Sequence, residues 1–464
     1  MRLTARRGPS APVRPAWLAF LAFAFSASLA RAQSAPNPPA PAASPGQTAA
    51  ASAPPTLTFS DALHRAHANS PEFQVALTDL GVAHEGRIQG RAGLLPSVNY
   101  NNQFLYTQGN GTLSGRYIAN NGVHEYSSQA DVHQAISLAI VADYKRAAAA
   151  EALAKARAEI ATRGLEVVVV QGYYGLVVAQ RKYATGQQAL DEAQRFLNIS
   201  QKLEQGGEVA HSDVIRAQIQ FQQVERDFEE ARLGMEKARL ALAVLLFPDF
   251  NESFTVVDDL QPPQALPEFH EVATLAGQQN PELRAAAAEL DMAHQDVNGA
   301  WSGLLPAASI DYFYGIDANH FATRQFDPVS GRVVDNLGYS VLASLQIPVW
   351  NWGASRSKLR QASLRRDQAR SLLSYTQRQL LSNLRAFYNE AQTARSELES
   401  LSRSAELAAE GLRLTTLRYQ AGEATVLEVV DAQNTLTLAR NSYADGQGRF
   451  RLAIATLQTI TGSF

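Results

Sequence analysis

Two histidines, His64 and His67, stand three residues apart on a helical stretch, a spacing that puts both imidazoles on one face. No carboxylate or cysteine set completes a metal site there. The nine histidines are dispersed and the cysteine count is 0, so His64 and His67 read as solvated helix-face residues. Zero cysteine also removes disulfides, thiolate metal sites and cysteine nucleophiles together. A phosphate-binding glycine loop ending in lysine, G-x-S-x-G and H-E-x-x-H are all missing, so neither catalysis nor a cofactor nor a resident metal is expected. The remaining chemistry is acidic. Six residues beyond the glycines Gly207 and Gly422 lie Asp213 and Glu428, and nine beyond the second lies Asp431. Carboxylates near helix N-termini complement the macrodipole, whatever else they do. With Lys+Arg 41 against Asp+Glu 44, the net charge of -3 gives no concentrated basic face for nucleic acid.

The elements that carry these residues are written twice. Pro71-Glu72, Ala83-His84 and Gly93-Leu94-Leu95-Pro96 recur 210 residues later as Pro281-Glu282, Ala293-His294 and Gly303-Leu304-Leu305-Pro306. Further on the offset is 215: Gly207-Glu208 matches Gly422-Glu423, and Ala217-Gln218 matches Ala432-Gln433. The chain is a duplication, with the longer loop in the second copy.

Each copy opens with a short helix and a second helix begun by Pro71 or Pro281 in its first turn. That second helix is expected to reach Leu95 or Leu305. After Pro96 and Pro306 the apolar period changes from 3.6 to 2. Strands are predicted over 97–107 and 125–139, then over 307–317 and 338–349, with long polar connections at 109–122 and 318–338. Proline-free helical stretches follow at 143–205 and 353–420, each roughly 95–100 Å long at the α-helical rise. The glycine turns at Gly206-Gly207 and Gly422 then lead into return helices at 211–247 and 425–461. These carry a three-and-four spacing, Val214, Ala217, Phe221 and Val224 in one copy and Val429, Ala432, Leu436 and Ala439 in the other. Such spacing is the knobs-into-holes pattern of coiled coils. A proline-started helix and a return helix together match one long helix in length, so they are expected to stack end to end beside it.

At the N-terminus, Arg2, Arg6, Arg7 and Arg14 precede an apolar run from Trp17 to Leu29 that ends in Ala30-Arg31-Ala32. This is the pattern of a cleaved export signal over 1–32. Residues 33–56, rich in Pro and Ala, read as a flexible linker. The repeats are expected over 57–250 and 268–464, joined by 251–267. No later stretch approaches the roughly 18 apolar residues of a membrane-spanning helix. Aromatic-rich alternating strands on an exported chain nonetheless suit lipid on one face. In lipid they must close into a barrel, and known barrels start at about eight strands. Four strands per chain cannot close one, so several copies must share it. An exported structural coiled coil, or an adaptor protein, would explain the rods but not two lipid-compatible hairpins placed symmetrically.

These residues resemble the TolC-like outer-membrane efflux channels of Gram-negative bacteria over essentially the whole mature chain. The resemblance rests on the doubled order, on Asn280-Pro281-Glu282 followed by Leu304-Leu305-Pro306, on Ile347-Pro348-Val349-Trp350-Asn351-Trp352-Gly353, and on Tyr419-Gln420-Ala421-Gly422. It implies an α+β membrane protein. Three copies would form a 12-stranded outer-membrane barrel continued by a 12-helix periplasmic tube. It also implies the function of exit duct in a tripartite efflux pump, or in a type I protein secretion or heavy-metal efflux system. The implied partners are outer-membrane lipid, a periplasmic adaptor and an inner-membrane RND or ABC pump. The adaptor would dock at Gly206, Gly207 and Gly422. Asp213, Glu428 and Asp431 would line the narrowest periplasmic opening, with Tyr419 helping to hold it closed. Ala424 stands where the family has a basic partner for its closing ion pairs, which speaks against a salt-bridge lock of that kind. Crowding of these carboxylates in rings is expected to raise some of their pKa values.

Overall fold

A computed structural model describes residues 55–106, 124–249, 253–260, 266–318, 321–327 and 329–462. The expected export signal, nearly all of the linker and the 109–122 connection lie outside the described residues. In chain order the elements are β1 (Thr56–Leu57), α1 (Phe59–Asn69), α2 (Pro71–Ala92), β2 (Ser97–Tyr106), β3 (His124–Ile136), α3 (Leu138–Gln205), α4 (His211–Leu246) and β4 (Thr255–Val256). The second half follows with α5 (Phe269–Gln279), α6 (Pro281–Ser302), β5 (Ala307–Ala318), β6 (Arg324–Asp327), β7 (Arg332–Asp335), β8 (Leu337–Gln346), α7 (Ala354–Gln420) and α8 (Val426–Thr461).

Local chemistry sets the boundaries. Thr58 and Asp61 form a reciprocal capping box at the start of α1. Ser70 and Asn280 cap α2 and α6, each followed by the first-turn proline. Both of these helices stop three residues short of the expected Leu95 and Leu305, at Ala92 and Ser302, where Gly93 and Gly303 take over as caps. The strand expected over 125–139 ends at Ile136, and α3 begins at Leu138 rather than 143. Ser137 is the reason, since its hydroxyl accepts the Ile140 N–H and starts the helix early. The strand expected to reach 349 ends at Gln346, because Pro348 has no N–H to give a ladder. Trp352 and Gly353, both with positive φ, then turn the chain into α7. Within the 318–338 connection a small hairpin, β6 with β7, replaces the expected loop. Asp327 seeds its turn by accepting the N–H groups of Val329 and Ser330.

The four long strands form one antiparallel sheet in the order β2-β3-β5-β8. The helices that continue those strands, α2, α3, α6 and α7, pack in the same order, α3 between α2 and α6, and α7 beside α6. Farther along, α4 packs on α3, and α8 packs on both α3 and α7. Thus α2 (22 residues) and α4 (36 residues) share one flank of the 68-residue α3. Each level is one layer of four helices, with α7 at an edge.

The sheet has one apolar and one polar face. Tyr100, Ala130, Tyr314 and Tyr339 are register neighbours across all four strands, as are Val98, Val132, Tyr312 and Val341. Tyr100, Tyr314, Tyr339 and Val98 are exposed on that face. On the opposite face Asn99, Asp131, Phe313 and Ser340 align, one row from Asn101, Gln129, Gly315 and Gly338. A two-strand strap, β1 parallel to β4, ties the start of the first repeat to the 251–267 segment. Buried Tyr173 on α3 fastens it, its hydroxyl 3.1 Å from the Leu57 carbonyl and 2.8 Å from that of Val257.

Candidate functional site

The chain reverses at two helical tips, α3 into α4 and α7 into α8, and the two turns are hydrogen-bonded alike. The Gly207 N–H donates to the Glu204 carbonyl and the Glu208 N–H to that of Leu203. At the second tip the Gly422 N–H donates to Tyr419 and the Glu423 N–H to Arg418. This is the Schellman arrangement, which needs a left-handed residue after the cap. Gly207 (φ 75°) and Gly422 (φ 77°) supply it. Gly206 is right-handed at φ -75°, so of the three tip glycines it alone has no conformational need to be glycine.

Behind the turns, one apolar cluster joins all four helices. Phe196 and Leu197 come from α3, Val214 and Ala217 from α4, Leu412 and Tyr419 from α7, and Val426, Val429 and Leu436 from α8. The three-and-four spacing of the return helices exists to fill this seam. Tyr419 is 3% exposed, its ring 5.0 Å from that of Phe196 and its hydroxyl 3.1 Å from the fully buried Ser200 hydroxyl. It therefore acts inside the protomer, fastening α7 to α3. Gln220 donates to Asn434 at 2.9 Å, tying α4 to α8 close by.

The acidic residues stand at the mouths of the return helices. Asp213 and Glu428 directly precede the cluster residues Val214 and Val429 in sequence. Glu428 accepts the Thr425 N–H at 3.1 Å while its own N–H donates to the Thr425 hydroxyl, a complete capping box. It also lies 3.5 Å from Arg418, whose guanidinium donates to the Glu423 carbonyl at 3.0 Å. Arg418 thus spans the second turn from α7 to α8. The Thr425 backbone N–H first, its hydroxyl second, and then the Arg418 charge hold the Glu428 carboxyl below the usual glutamate range. Within one chain this runs opposite to the upward shift expected from crowding. Asp213 pairs instead with Arg216, one turn along α4, at 3.6 Å. Its helix is capped by Ala210 with no side-chain bond, while His211 pairs with Glu204 at 2.6 Å across the turn. Asp431 is exposed one turn beyond Glu428 on α8.

Sequence reasoning missed Arg418 and Thr425. Thr425-x-x-Glu428 is a readable capping-box signature. Arg418 carries no local signal, because its partners lie beyond the turn. No group of three or more His, Cys, Asp or Glu able to hold a metal exists among the described residues.

Known proteins share this construction. Alkaline protease secretion protein AprF of Pseudomonas aeruginosa is 23% identical over 422 residues, covering 87% of this chain and 84% of its own. Outer membrane protein TolC of Vibrio cholerae is 24% identical over 410 residues, covering 86% and 89%. The solved structure of the outer-membrane channel OprN superposes with a TM-score of 0.75 at 19% identity, over 88% of this chain and 90% of that one. The model of the outer membrane efflux protein family matches residues 62–246 and 272–463, which takes in both hairpins, both long helices and both tips. The chain belongs to the outer membrane efflux protein family.

Proposed function

We propose that three copies of this chain join into one outer-membrane exit duct, passing substrates delivered by an inner-membrane RND or ABC pump and a periplasmic adaptor. As a family member the chain is an outer-membrane channel that reaches into the periplasm. The observation that carries closure between copies is the open sheet. Strands β2 and β8 are its two edges, each paired on one side only. Unpaired edges cannot stand in hydrocarbon, and the apolar face with Tyr100, Tyr314 and Tyr339 exposed calls for hydrocarbon. Joining β8 of one copy to β2 of the next satisfies both demands, and three copies give 12 strands from four each. The helix order follows the strand order, so the same closure makes a tube of four helices per copy.

Asp213, Glu428 and Asp431 then form acidic rings near the periplasmic mouth, which favour cations. Tyr419 and the four-helix cluster hold that mouth narrow, and the turns at Gly207 and Gly422 face the adaptor. The pump sets the cargo, in keeping with relatives whose names range from protease secretion to a general outer membrane protein.

An epitope tag inserted at Ser330, in the turn between β6 and β7, tests the orientation. It should be readable by antibody on intact cells. Labelling only after the outer membrane is permeabilised would overturn the proposal.

A further inference from the structure

Several side-chain contacts recur in both repeats. Tyr173 on α3 and Tyr388 on α7 are 215 residues apart. Tyr173 donates to the Leu57 carbonyl and meets Phe59 edge-on, ring centroids 5.7 Å apart. Tyr388 donates to the Pro267 carbonyl and meets Phe269 edge-on at 5.3 Å. Leu57 and Pro267, like Phe59 and Phe269, are 210 apart, the offset of the first part of the repeat. Buried Leu165 and Val169 likewise match buried Leu380 and Leu384. The register of α3 against α7 is thereby fixed.

Ten residues before each tyrosine stands an arginine. Arg163 of α3 reaches into the next repeat. One of its terminal nitrogens donates to the Thr459 carbonyl at 2.7 Å, in the last turn of α8. The other donates to the carbonyl of Gln279, the last residue of α5, at 3.2 Å. Carbonyls at a helix C-terminus lack intrahelical partners and carry the negative end of the dipole, so one guanidinium serves two helix ends. Its side chain is 11% exposed, and Glu159 on its own helix counters the charge.

The match on α7 is Arg378, which is exposed and folds back to the Ser374 carbonyl of its own helix at 3.3 Å. Ser374 occupies the place of Glu159, so that countercharge is gone. Among the described residues α7 lies at an edge of the helix layer, with no further repeat packed beside it. The matches of Gln279 and Thr459 are Asn69, the last residue of α1, and Val244, in the last turn of α4. Val244 is 65% exposed. Apolar side chains also lie open at both edges of the helix layer, Tyr375 and Leu381 on α7, and Val75 and Val82 on α2.

We infer that Arg378 of one copy seats on the Asn69 and Val244 carbonyls of the next, so that the seam between copies repeats the seam between the two halves of one chain. This rests on the homotrimer proposed above and assigns the contact that closes it. The occupant is a second copy because the chain already contains the matching seam, from Arg163 to Gln279 and Thr459.

The chain has 0 cysteines, so cysteine pairs can be installed without background. The full-length double variant Arg378→Cys/Val244→Cys, in detergent with a short bis-maleimide, should give covalent dimers and trimers on a denaturing gel. Each single variant should stay monomeric there. The control Arg163→Cys/Thr459→Cys should cross-link within one chain and give no ladder. Arg378→Glu should raise the concentration at which copies separate by about tenfold, the weight of a lost charge-assisted contact. A native trimer mass without a ladder from the double variant would overturn the Arg378 seat and leave the trimer standing. A ladder from Arg378→Cys alone would place two α7 edges together and overturn it as well. A monomeric native mass would remove both the seat and the trimer.

Discussion

Tyr419 gives the sharpest test of how the tips are held. Its hydroxyl meets that of Ser200 at 3.1 Å, with Tyr419 3% and Ser200 0% exposed, so water cannot replace either partner. Tyr419→Phe keeps the ring on Phe196 and removes the bond alone. The net cost of such a bond is about 1 kcal/mol, and an orphaned buried hydroxyl raises it towards about 2. Roughly a fivefold or greater rise in the opened tip population follows. Ser200→Ala should cost a similar amount, and the double variant little more than either single one, because no unpaired hydroxyl remains. Tyr419→Ala also removes the ring, costing about 3–5 kcal/mol, enough to free the tip. Hydrogen exchange at the two turns of the detergent-solubilised protein reads the population, and resting conductance in planar bilayers reads the consequence. Unchanged exchange in Tyr419→Phe, or fully additive costs in the double variant, would refute the reasoning.

Four further outcomes are expected. Neutralising Glu428 and Asp431 together, as Gln and Asn, should weaken cation selectivity, read as a shifted reversal potential under a salt gradient. Gly207→Val and Gly422→Val should lose transport while the barrel still assembles, since left-handed backbone costs a side chain about 1–2 kcal/mol or more. Gly206→Ala, at φ -75°, should leave transport unchanged in the same measurement. The Glu428 carboxyl is held below its ordinary value of 4.5, so its capping contribution is fully present above pH 4.5. That contribution should fade as pH falls through the lower folded value, seen as lost exchange protection at the start of α8 in wild type but not in Glu428→Gln.

The helices and strands were legible because their signals are long. Val98, Tyr100 and Phe104 alternate with Asn99, Asn101 and Gln103 along a strand, and the Val214 to Val224 spacing repeats 215 residues on. Short elements escaped. The strap of β1 and β4 has two residues in each strand, too few for any period, and its anchor Tyr173 lies 116 residues from Leu57. Boundaries shifted where one residue decides them, Ser137 starting α3 and Pro348 stopping β8. At the tips, Gly207 and Gly422 could be read as turn glycines. That Arg418 would bridge to Glu428 could not, since it depends on how the turn folds α7 back on α8.

Single-particle imaging of the full-length protein in detergent or nanodisc tests the central claim most directly. The account predicts a threefold particle in which β8 of each copy pairs with β2 of the next, closing 12 strands, four per copy, above a continuous helical tube. A single copy with both sheet edges open, or a particle in which β2 and β8 pair with anything other than each other, would contradict it.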